Sequence, residues 1–269
     1  MGAVIDPISG LAFHELSHPW GHGVPMQPGY DDVKMFRSSQ HAKNGVLAHR
    51  LRMVMHSGTH LNAPRHLVAK SEGVGELGVE KFFGSGVVLS IPKGKWEWIG
   101  VSDLERASPG IETDDLVVIC TGWHHRYSDS QEYFGHSPGL SKAAAEWLVA
   151  RRIKLLAVDT PQVDHPLATS LGAQRNGPLM RRLPKEYESA TGRSVSVDFP
   201  EWNPAHRLLL AAGIPTVENA GGDVDELVGQ RCTLQAYPWK WPEGDACPIR
   251  FVAITDPGGN FRLEAGGSA

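Results

Sequence analysis

Three histidines and an asparagine carboxamide stand within eleven residues of this chain. His56, His60 and His66 share the even-numbered positions of this window with Gly58 and Asn62. Neutral imidazole is a common metal ligand, and it changes its protonation near neutral pH. The spacing therefore indicates metal or acid/base chemistry; the alternative is a solvated loop that is merely rich in histidine.

The surrounding residues predict how this window is presented. The apolar run 51–55 predicts a strand, and Gly58 and Pro64 argue against a helix continuing through the window. In an extended strand, side chains alternate between faces, so residues 56, 58, 60 and 62 would share one face, with Gly58 leaving room between two imidazoles. Because buried imidazoles need polar partners, such a face suits a shared ion better than an apolar core.

Two distant residues can reach the same place. His206 lies about one turn into a predicted helix bounded by the cap Asn203 and by Gly213, and Glu218 ends the short strand that follows. Helix, turn and strand bring the chain back, so both side chains can face one cleft. The helix dipole disfavours the protonated form of His206. The alternatives are a solvated helix position for His206 and an ordinary strand end for Glu218.

Two further strand ends carry polar or aromatic groups. Gln162 lies in the segment 159–164 after one apolar run, and Trp123 follows another. Strand ends in α/β folds commonly hold site residues, although Asp and Thr before Pro are also ordinary turn formers. The adjacent His124 and His125 are expected to point apart, so we do not predict that they act as a pair.

The elements that must position these groups alternate between strands and helices. The apolar runs 86–91, 115–120, 154–159 and 249–254 predict buried strands. Residues 141–152 and 203–213 predict helices, and residues 214–218 a short strand. This alternation predicts a single α/β domain over residues 1–269. Residues 166–200 show no clear period and predict a long loop, and the tail 257–269 is expected to be flexible.

Composition excludes several classes of protein. The formal net charge of the 269 residues is -4, which gives no general attraction to nucleic acid or to an anionic membrane. No apolar stretch approaches the roughly 20 residues of a membrane helix, and the N-terminus does not resemble a signal peptide. The three cysteines lack metal-finger spacing and predict reduced thiols of a cytoplasmic protein. Cys120, at the end of an apolar run, is expected to be a core residue rather than a nucleophile.

The histidine window also resembles a family signature. His56-x-Gly58-Thr59-His60-x-Asn62-x-Pro64-x-His66 is similar to the motif His-x-Gly-Thr-His-x-Asp-x-Pro-x-His of the cyclase-like, metal-dependent hydrolases. That family includes bacterial kynurenine formamidase and isatin hydrolase. The resemblance continues in residues 121–123, 138–141, 159–161 and 214–219, and runs from about Leu16 to Leu227.

This resemblance implies a fold and a set of roles. It implies a swivelling β/β/α fold in which His56, His60 and Asn62 are metal ligands for zinc or manganese. It further implies that His66 transfers protons and that His206 and Glu218 complete the catalytic site. Members of the family are typically homodimers or homotetramers, and residues 1–40 are a candidate arm that contacts a neighbouring subunit.

One position departs from the signature. Asn62 stands where the family has aspartate, and a carboxamide offers one neutral carbonyl oxygen in place of a full negative charge. We therefore expect one divalent ion per chain, bound more weakly than a carboxylate would bind it. The same loss of negative charge leaves the ion a stronger Lewis acid.

These parts predict a hydrolase that attacks an amide, lactam or lactone of a small, cyclic or aromatic substrate with metal-activated water. Trp123, Gln162 and Trp20 are candidates for substrate contact, with Tyr30 and Phe36 as further aromatics. Two alternatives remain open. The first is a non-hydrolytic cyclase or lyase on the same scaffold, and the second is a non-catalytic small-molecule-binding protein.

Overall fold

A curled, mixed sheet of ten strands organises the molecule. The computed structural model describes residues 2–171 and 182–261. The strands are β1 (Val4–Ile5), β2 (Ala12–Glu15), β3 (Lys34–Ser39), β4 (Ala48–Arg52), β5 (His60–Asn62), β6 (Phe83–Ser90), β7 (Trp98–Ile99), β8 (Leu116–Cys120), β9 (Gly139–Leu140), β10 (Leu155–Val158), β11 (Thr216–Glu218), β12 (Gln230–Gln235), β13 (Ala246–Pro248) and β14 (Val252–Thr255). The α-helices are α1 (His41–Asn44), α2 (Val101–Arg106), α3 (Gln131–Gly135), α4 (Lys142–Ala150), α5 (Leu183–Thr191), α6 (Val195–Asp198) and α7 (Pro204–Ala211).

The large sheet is parallel in its middle and antiparallel at both ends. Its order is β1-β2-β14-β12-β6-β8-β10-β11-β5-β13, and β6, β8, β10 and β11 run parallel. Two small sheets, β3-β4 and β7-β9, lie outside it. The predicted strands at 86–91, 115–120 and 154–159 are confirmed, whereas the run 249–254 forms a strand only from Val252.

Alternate residues of the central strands serve two cores, one on each side of the sheet. Val118 packs into the core that the curled strands β12 and β14 close, while Val117 packs into the core under α4 and α7. Continuous apolar runs produce this arrangement because both faces of a central parallel strand are buried. The prediction of strands covered by helices is thus correct for one face, and the other face is covered by the sheet itself.

The helix that carries His206 is capped differently from the prediction. Asn203 adopts a left-handed backbone (φ 45°), and its side chain makes no capping hydrogen bond. Instead, the carboxylate of Asp164 accepts hydrogen bonds from the backbone N–H groups of Ala205 and His206, both at 2.9 Å. An acceptor at a helix N-terminus satisfies N–H groups that have no partner within the helix. Here the acceptor comes from a segment about forty residues earlier in the sequence, so local sequence could not reveal it.

The predicted strand through the histidine window was wrong in its extent. Strand β4 ends at Arg52, and β5 begins only at His60. Gly58 breaks the extended chain with φ 60°, and a Cβ on it would lie 2.9 Å from Cδ1 of Trp20. Gly58 therefore permits a tight turn against Trp20 and does not separate two imidazoles.

The segment 166–200, predicted as a loop, contains two helices where it is described. Helix α5 buries Leu183 and Tyr187, four residues apart on one face, and α6 follows it. Residues 172–181 of this segment, and residues 262–269 of the predicted flexible tail, lie outside the described structure. Within the described residues, no helix is long and apolar enough to cross a membrane.

Candidate active site

The pairing of β5 with β11 places the central residues of the site. His60 lies opposite Glu218, and Asn62 lies opposite Thr216. Because alternate residues of a strand share a face, all four side chains lie on the same side of the ladder. Strand β13 pairs with the other edge of β5, so both edges of β5 are hydrogen-bonded.

His60 lies between a backbone carbonyl and a carboxylate. Its Nδ1 lies 2.9 Å from the carbonyl oxygen of Gly58, which can only accept, so Nδ1 carries a proton. Nε2 is 3.2 Å from Oε2 of Glu218 but is not aligned with any hydrogen-bond partner among the described residues. The 3.2 Å separation of Nε2 and Oε2 fits a shared cation, since two ligand atoms bonded at about 2.1 Å to a tetrahedral ion lie about 3.4 Å apart.

Glu218 is ionised in this setting. Burial of its side chain raises the pKa, but the surrounding rings of His60, His206 and His66 oppose this and bring the pKa to about 2. Oε1 of Glu218 also accepts a hydrogen bond from the backbone N–H of Val163 at 3.1 Å. The site thus holds a buried negative charge beside the imidazole ring of His60.

His206 is buried and belongs to this cluster, so the alternative of a solvated helix position is wrong. Its Nε2 lies 2.7 Å from Oγ1 of Thr216, and its Nδ1 lies 3.7 Å from Oε1 of Glu218. Burial lowers the pKa of His206 to about 4. The ring is therefore neutral near pH 7.

His56 and His66 lie together on the other side of the cluster. Their ring centroids are 4.2 Å apart, and Nε2 of His56 is 2.9 Å from Oδ2 of Asp245. Burial and the neighbouring His56 and His206 lower the pKa of His66 to about 3. His56, His66 and Asp245 each offer a ligand atom within 4.8 Å of the others, which makes this side of the cluster a candidate metal centre as well.

Asn62 is fully buried. Its Nδ2 lies 3.4 Å from Oγ1 of Thr216, while its Oδ1 has no hydrogen-bond partner among the described residues. A buried carbonyl oxygen without a partner is costly. A divalent cation is one partner that would satisfy it. The ligand atoms that lie close together in this structure are those of His56, His66 and Asp245, with the pair His60 and Glu218 3.2 Å apart beside them.

A cavity of about 290 Å³ opens onto these groups. His56, His60, His66, His206 and Glu218 line it, together with Tyr30, Phe134, Gln162, Asp164 and Trp202. Gln162 donates from Nε2 to Oγ of Ser137 at 3.0 Å, and its Oε1 has no hydrogen-bond partner among the described residues. That oxygen is itself buried in the wall of the cavity.

The structure places neither of the predicted substrate-contacting tryptophans in this cavity. Trp123 is buried in an aromatic core, where Nε1 donates to the backbone oxygen of Tyr133 at 3.0 Å. Trp20 packs against Gly58, and its Nε1 donates to Oγ of Ser57 at 3.0 Å. The aromatic lining comes instead from Tyr30, Phe134 and Trp202. Phe36, a further aromatic candidate, is exposed on β3.

The family model described as "Cyclase: Putative cyclase" matches residues 14–165, which is more than half of the chain. The chain belongs to the cyclase family. It is an enzyme, and the predicted family membership and α/β fold are confirmed. This cyclase-family chain is 27% identical over 239 residues to a kynurenine formamidase of Bacillus cereus, covering 88% of this chain and 95% of the relative. A kynurenine formamidase of Bacillus thuringiensis is 26% identical over the same length.

Solved structures share the fold of this cyclase-family enzyme. An isatin hydrolase bound to the product analogue thioisatinate superimposes with a TM-score of 0.73 at 20% identity, covering 91% of this chain and 92% of that chain. Isatin hydrolase A from Labrenzia aggregata gives a TM-score of 0.71 at 22% identity, covering 91% and 93%. Similarity at this level shows a common fold, and the roles of individual residues are argued from the site itself.

Sequence reasoning missed two residues that orient the histidines of this cyclase-family site. Asp245 holds His56 from the turn before β13, far from the window in sequence. Asn219 donates from Nδ2 to the oxygen of Gly58 at 2.9 Å, the same oxygen that accepts from His60. Two signals pointed towards Asn219: it directly follows Glu218, and it lies in the segment 214–219 of the family resemblance. Nothing local to Asp245 indicated its contact.

Proposed function

We propose that this enzyme is a metal-dependent hydrolase that cleaves the C–N or C–O bond of an amide, lactam or lactone in a small, cyclic or aromatic substrate. The observation that carries the proposal is the buried contact of Nε2 of His60 with the Glu218 carboxylate at 3.2 Å, together with a fully buried Asn62 whose Oδ1 has no hydrogen-bond partner among the described residues. A cation explains this contact better than a core would, because uncompensated buried polar groups are unfavourable.

The similarity to kynurenine formamidases supports an amide substrate, and the fold of isatin hydrolases is compatible with a lactam. The cavity is small, and its lining combines three aromatic side chains with Gln162. A flat ring can lie among Tyr30, Phe134 and Trp202, while the unpaired Oε1 of Gln162 accepts a hydrogen bond from an N–H group of the substrate once the amide group turns towards the cavity.

His56, His60 and Asn62 would hold one divalent ion, with Glu218 beside them. Such an ion polarises a carbonyl and lowers the pKa of water. Imidazole ligands suit zinc, and the carboxamide oxygen leaves manganese open. Asp245 keeps His56 in place through its hydrogen bond, as acceptors around metal sites commonly do.

His66 is proposed to transfer the proton. It lines the cavity, and its low pKa leaves the ring unprotonated near pH 7, although a pKa of about 3 makes it a weaker base than one matched to that pH. During hydrolysis it would take a proton from the attacking water and deliver it to the leaving nitrogen or oxygen. Neutral His206, held by Thr216, would keep the opposite wall of the cavity free of positive charge.

We further propose a cytoplasmic homodimer or homotetramer. The hairpin β3-β4 exposes Phe36, Val46, Leu47 and Leu51, and exposed apolar groups of this kind are typical of contact surfaces between subunits. The three cysteines are free thiols. Light scattering of the purified chain, compared with a variant carrying Leu47→Lys and Leu51→Lys, measures the oligomeric state.

The central test is a turnover assay of metal-stripped enzyme reloaded with zinc or with manganese, using aryl formamides, lactams and lactones as substrates. Hydrolysis in ¹⁸O-labelled water should place one labelled oxygen in the acid product. Turnover without incorporation of label would instead identify a cyclase or lyase. Ligand binding that survives chelation, with no turnover of any substrate, would indicate a non-catalytic binding protein.

A further inference from the structure

We propose that a second divalent-ion site, suited to zinc, lies at the carboxyl end of β8 and is formed by Cys120, His124 and Asp225. Sγ of Cys120, a ring nitrogen of His124 and a carboxylate oxygen of Asp225 lie within 4.8 Å of one another. None of these residues lines the cavity described above. The cluster is therefore separate from the candidate active site.

The ring of His124 is already oriented as a metal ligand requires. Its Nδ1 lies 3.0 Å from Oδ2 of Asp159, a fully buried carboxylate that also accepts from the backbone N–H groups of Thr121 and Trp123. This contact assigns a proton to Nδ1 and directs Nε2 towards Asp225, at 3.2 Å from Oδ2. Histidines that bind metal commonly donate their second ring N–H to a carboxylate in this way.

The distances fit one tetrahedral ion after small movements. Sγ of Cys120 lies 4.0 Å from Oδ1 of Asp225, whereas ligand atoms of a tetrahedral zinc site lie about 3.3–3.8 Å apart. His125 can complete the set, since its Nε2 is 3.1 Å from Oδ2 of Asp225 and its exposed side chain is free to turn. The prediction that His124 and His125 point apart was wrong: their ring centroids are 4.0 Å apart.

The charges balance when an ion enters. Both ring nitrogens of His124 face carboxylates, at 3.0 and 3.2 Å, so the ring without metal carries two protons. Binding of Zn²⁺ releases the Nε2 proton of His124 and the thiol proton of Cys120. Two positive charges leave as one doubly charged ion arrives, so the net charge of this cluster is unchanged. Thiolate and imidazole ligands together favour zinc over manganese or magnesium.

Such an ion would link two parts of the chain that are about a hundred residues apart. Cys120 ends a central strand, and Asp225 lies in the 3-10 segment Val224–Leu227. An ion that binds only the folded chain stabilises it by mass action. The site would thus be structural, independent of the catalytic chemistry.

Cobalt titration of the metal-stripped full chain tests this site, because a thiolate bound to Co²⁺ gives a charge-transfer band in the near ultraviolet. We expect the wild-type chain to show the band with an intensity that corresponds to one thiolate-bound cobalt ion per chain. Cys120→Ala should lose the band. Cys232→Ala removes another buried cysteine and should keep the band. Asp225→Asn changes an exposed side chain, so it should fold normally and still lose the band at stoichiometric cobalt.

His60→Ala separates this proposal from the proposed hydrolase function. It should abolish turnover and remove one bound ion while keeping the thiolate band. A wild-type chain without the band, or a Cys120→Ala variant with an unchanged band, would overturn the second site without affecting the first.

Discussion

Asn62 and Thr216 face each other across the β5–β11 ladder, with Nδ2 of Asn62 3.4 Å from Oγ1 of Thr216. The same Oγ1 lies 2.7 Å from Nε2 of His206. If the amide donates to Thr216, the hydroxyl proton is free to point at Nε2, and His206 carries its own proton on Nδ1, towards Glu218. An aspartate at position 62 could only accept, which would reverse the direction of both hydrogen bonds.

Asn62→Asp should therefore tighten metal binding and change the tautomer of His206. The added negative charge stabilises a bound cation, and we expect affinity to rise by about tenfold or more, since a gain of about 1.4 kcal/mol suffices. Competition with a chromophoric chelator measures the affinity, and ¹⁵N shifts of the imidazole nitrogens report the tautomer. Unchanged affinity in Asn62→Asp would show that residue 62 does not approach the ion.

His66→Ala should lower kcat by about 10²–10⁴-fold while leaving the metal content intact, which is the usual contribution of a positioned acid/base group. Metal analysis and steady-state kinetics of the same preparation measure both quantities. His41→Ala, at an exposed position in α1, is the matched control and should retain full activity. Near-normal turnover by His66→Ala would assign proton transfer to another residue.

Gln162→Leu should raise KM by about 3–10-fold for substrates with an N–H group, because a lost hydrogen bond costs about 0.5–1.5 kcal/mol. Lactones, which lack this N–H, should show a smaller change in KM. Trp123→Phe serves as the comparison, since Trp123 lies outside the cavity and its replacement should alter stability more than KM. Equal effects of Gln162→Leu on lactams and lactones would contradict the assigned contact.

Asp164→Ala should lower the free energy of unfolding by about 0.5–2 kcal/mol, the usual cost of losing an N-terminal helix cap. Urea denaturation of the metal-free chain measures this loss. Asn203→Gly keeps the left-handed backbone and removes a side chain that makes no capping bond, so it should have little effect on stability. A larger loss in Asn203→Gly than in Asp164→Ala would reverse the assignment of the cap.

His165 should make the protein less stable in acid. Burial lowers its pKa to about 3, and its Nδ1 accepts a hydrogen bond from the N–H of Leu167. The unfolded chain takes up a proton near its ordinary pKa of 6.5, so the contribution is complete above that pH. It is lost as the pH falls towards 3, at up to about 1.4 kcal/mol per pH unit.

Denaturation of wild type and His165→Asn between pH 7 and 4 isolates this effect from that of the other histidines. Asparagine can accept the same hydrogen bond without titrating, so its stability should fall less steeply with acid. Parallel curves for the two proteins would show that His165 does not contribute.

The local sequence was sufficient to predict an element where both faces of that element are buried. The strands β8 and β10 were predicted because continuous apolar runs satisfy two cores at once. The local sequence did not predict where β5 begins, because the left-handed turn at Gly58 interrupts the extended chain. Helix α5 was missed because its buried side is narrow, with Leu183 and Tyr187 as its only buried residues.

The residues of the site likewise divide into those that the local sequence predicts and those whose contacts depend on distant segments. The histidine window was recognisable from its residue types. That His206 and Glu218 can reach it was inferred from the predicted helix, turn and strand that carry them. The contacts made by Asp245 and Asp164 depend on strand pairing and on loop placement between segments far apart in sequence. The sequence pattern within one segment contains no information about contacts with residues of another segment.

The ladder that holds β5 between β11 and β13 also determines where this chain can change in length. Inserting or deleting one residue within β5 would place His60 and Asn62 on opposite faces of the strand, and both neighbouring strands resist a slip of register. Helix α1, which connects β3 and β4 and buries none of its residues, is not held by strand pairing. Natural or engineered insertions should therefore be tolerated better in α1 than in β5, provided that they leave Val46 and Leu47 of the proposed contact surface in place.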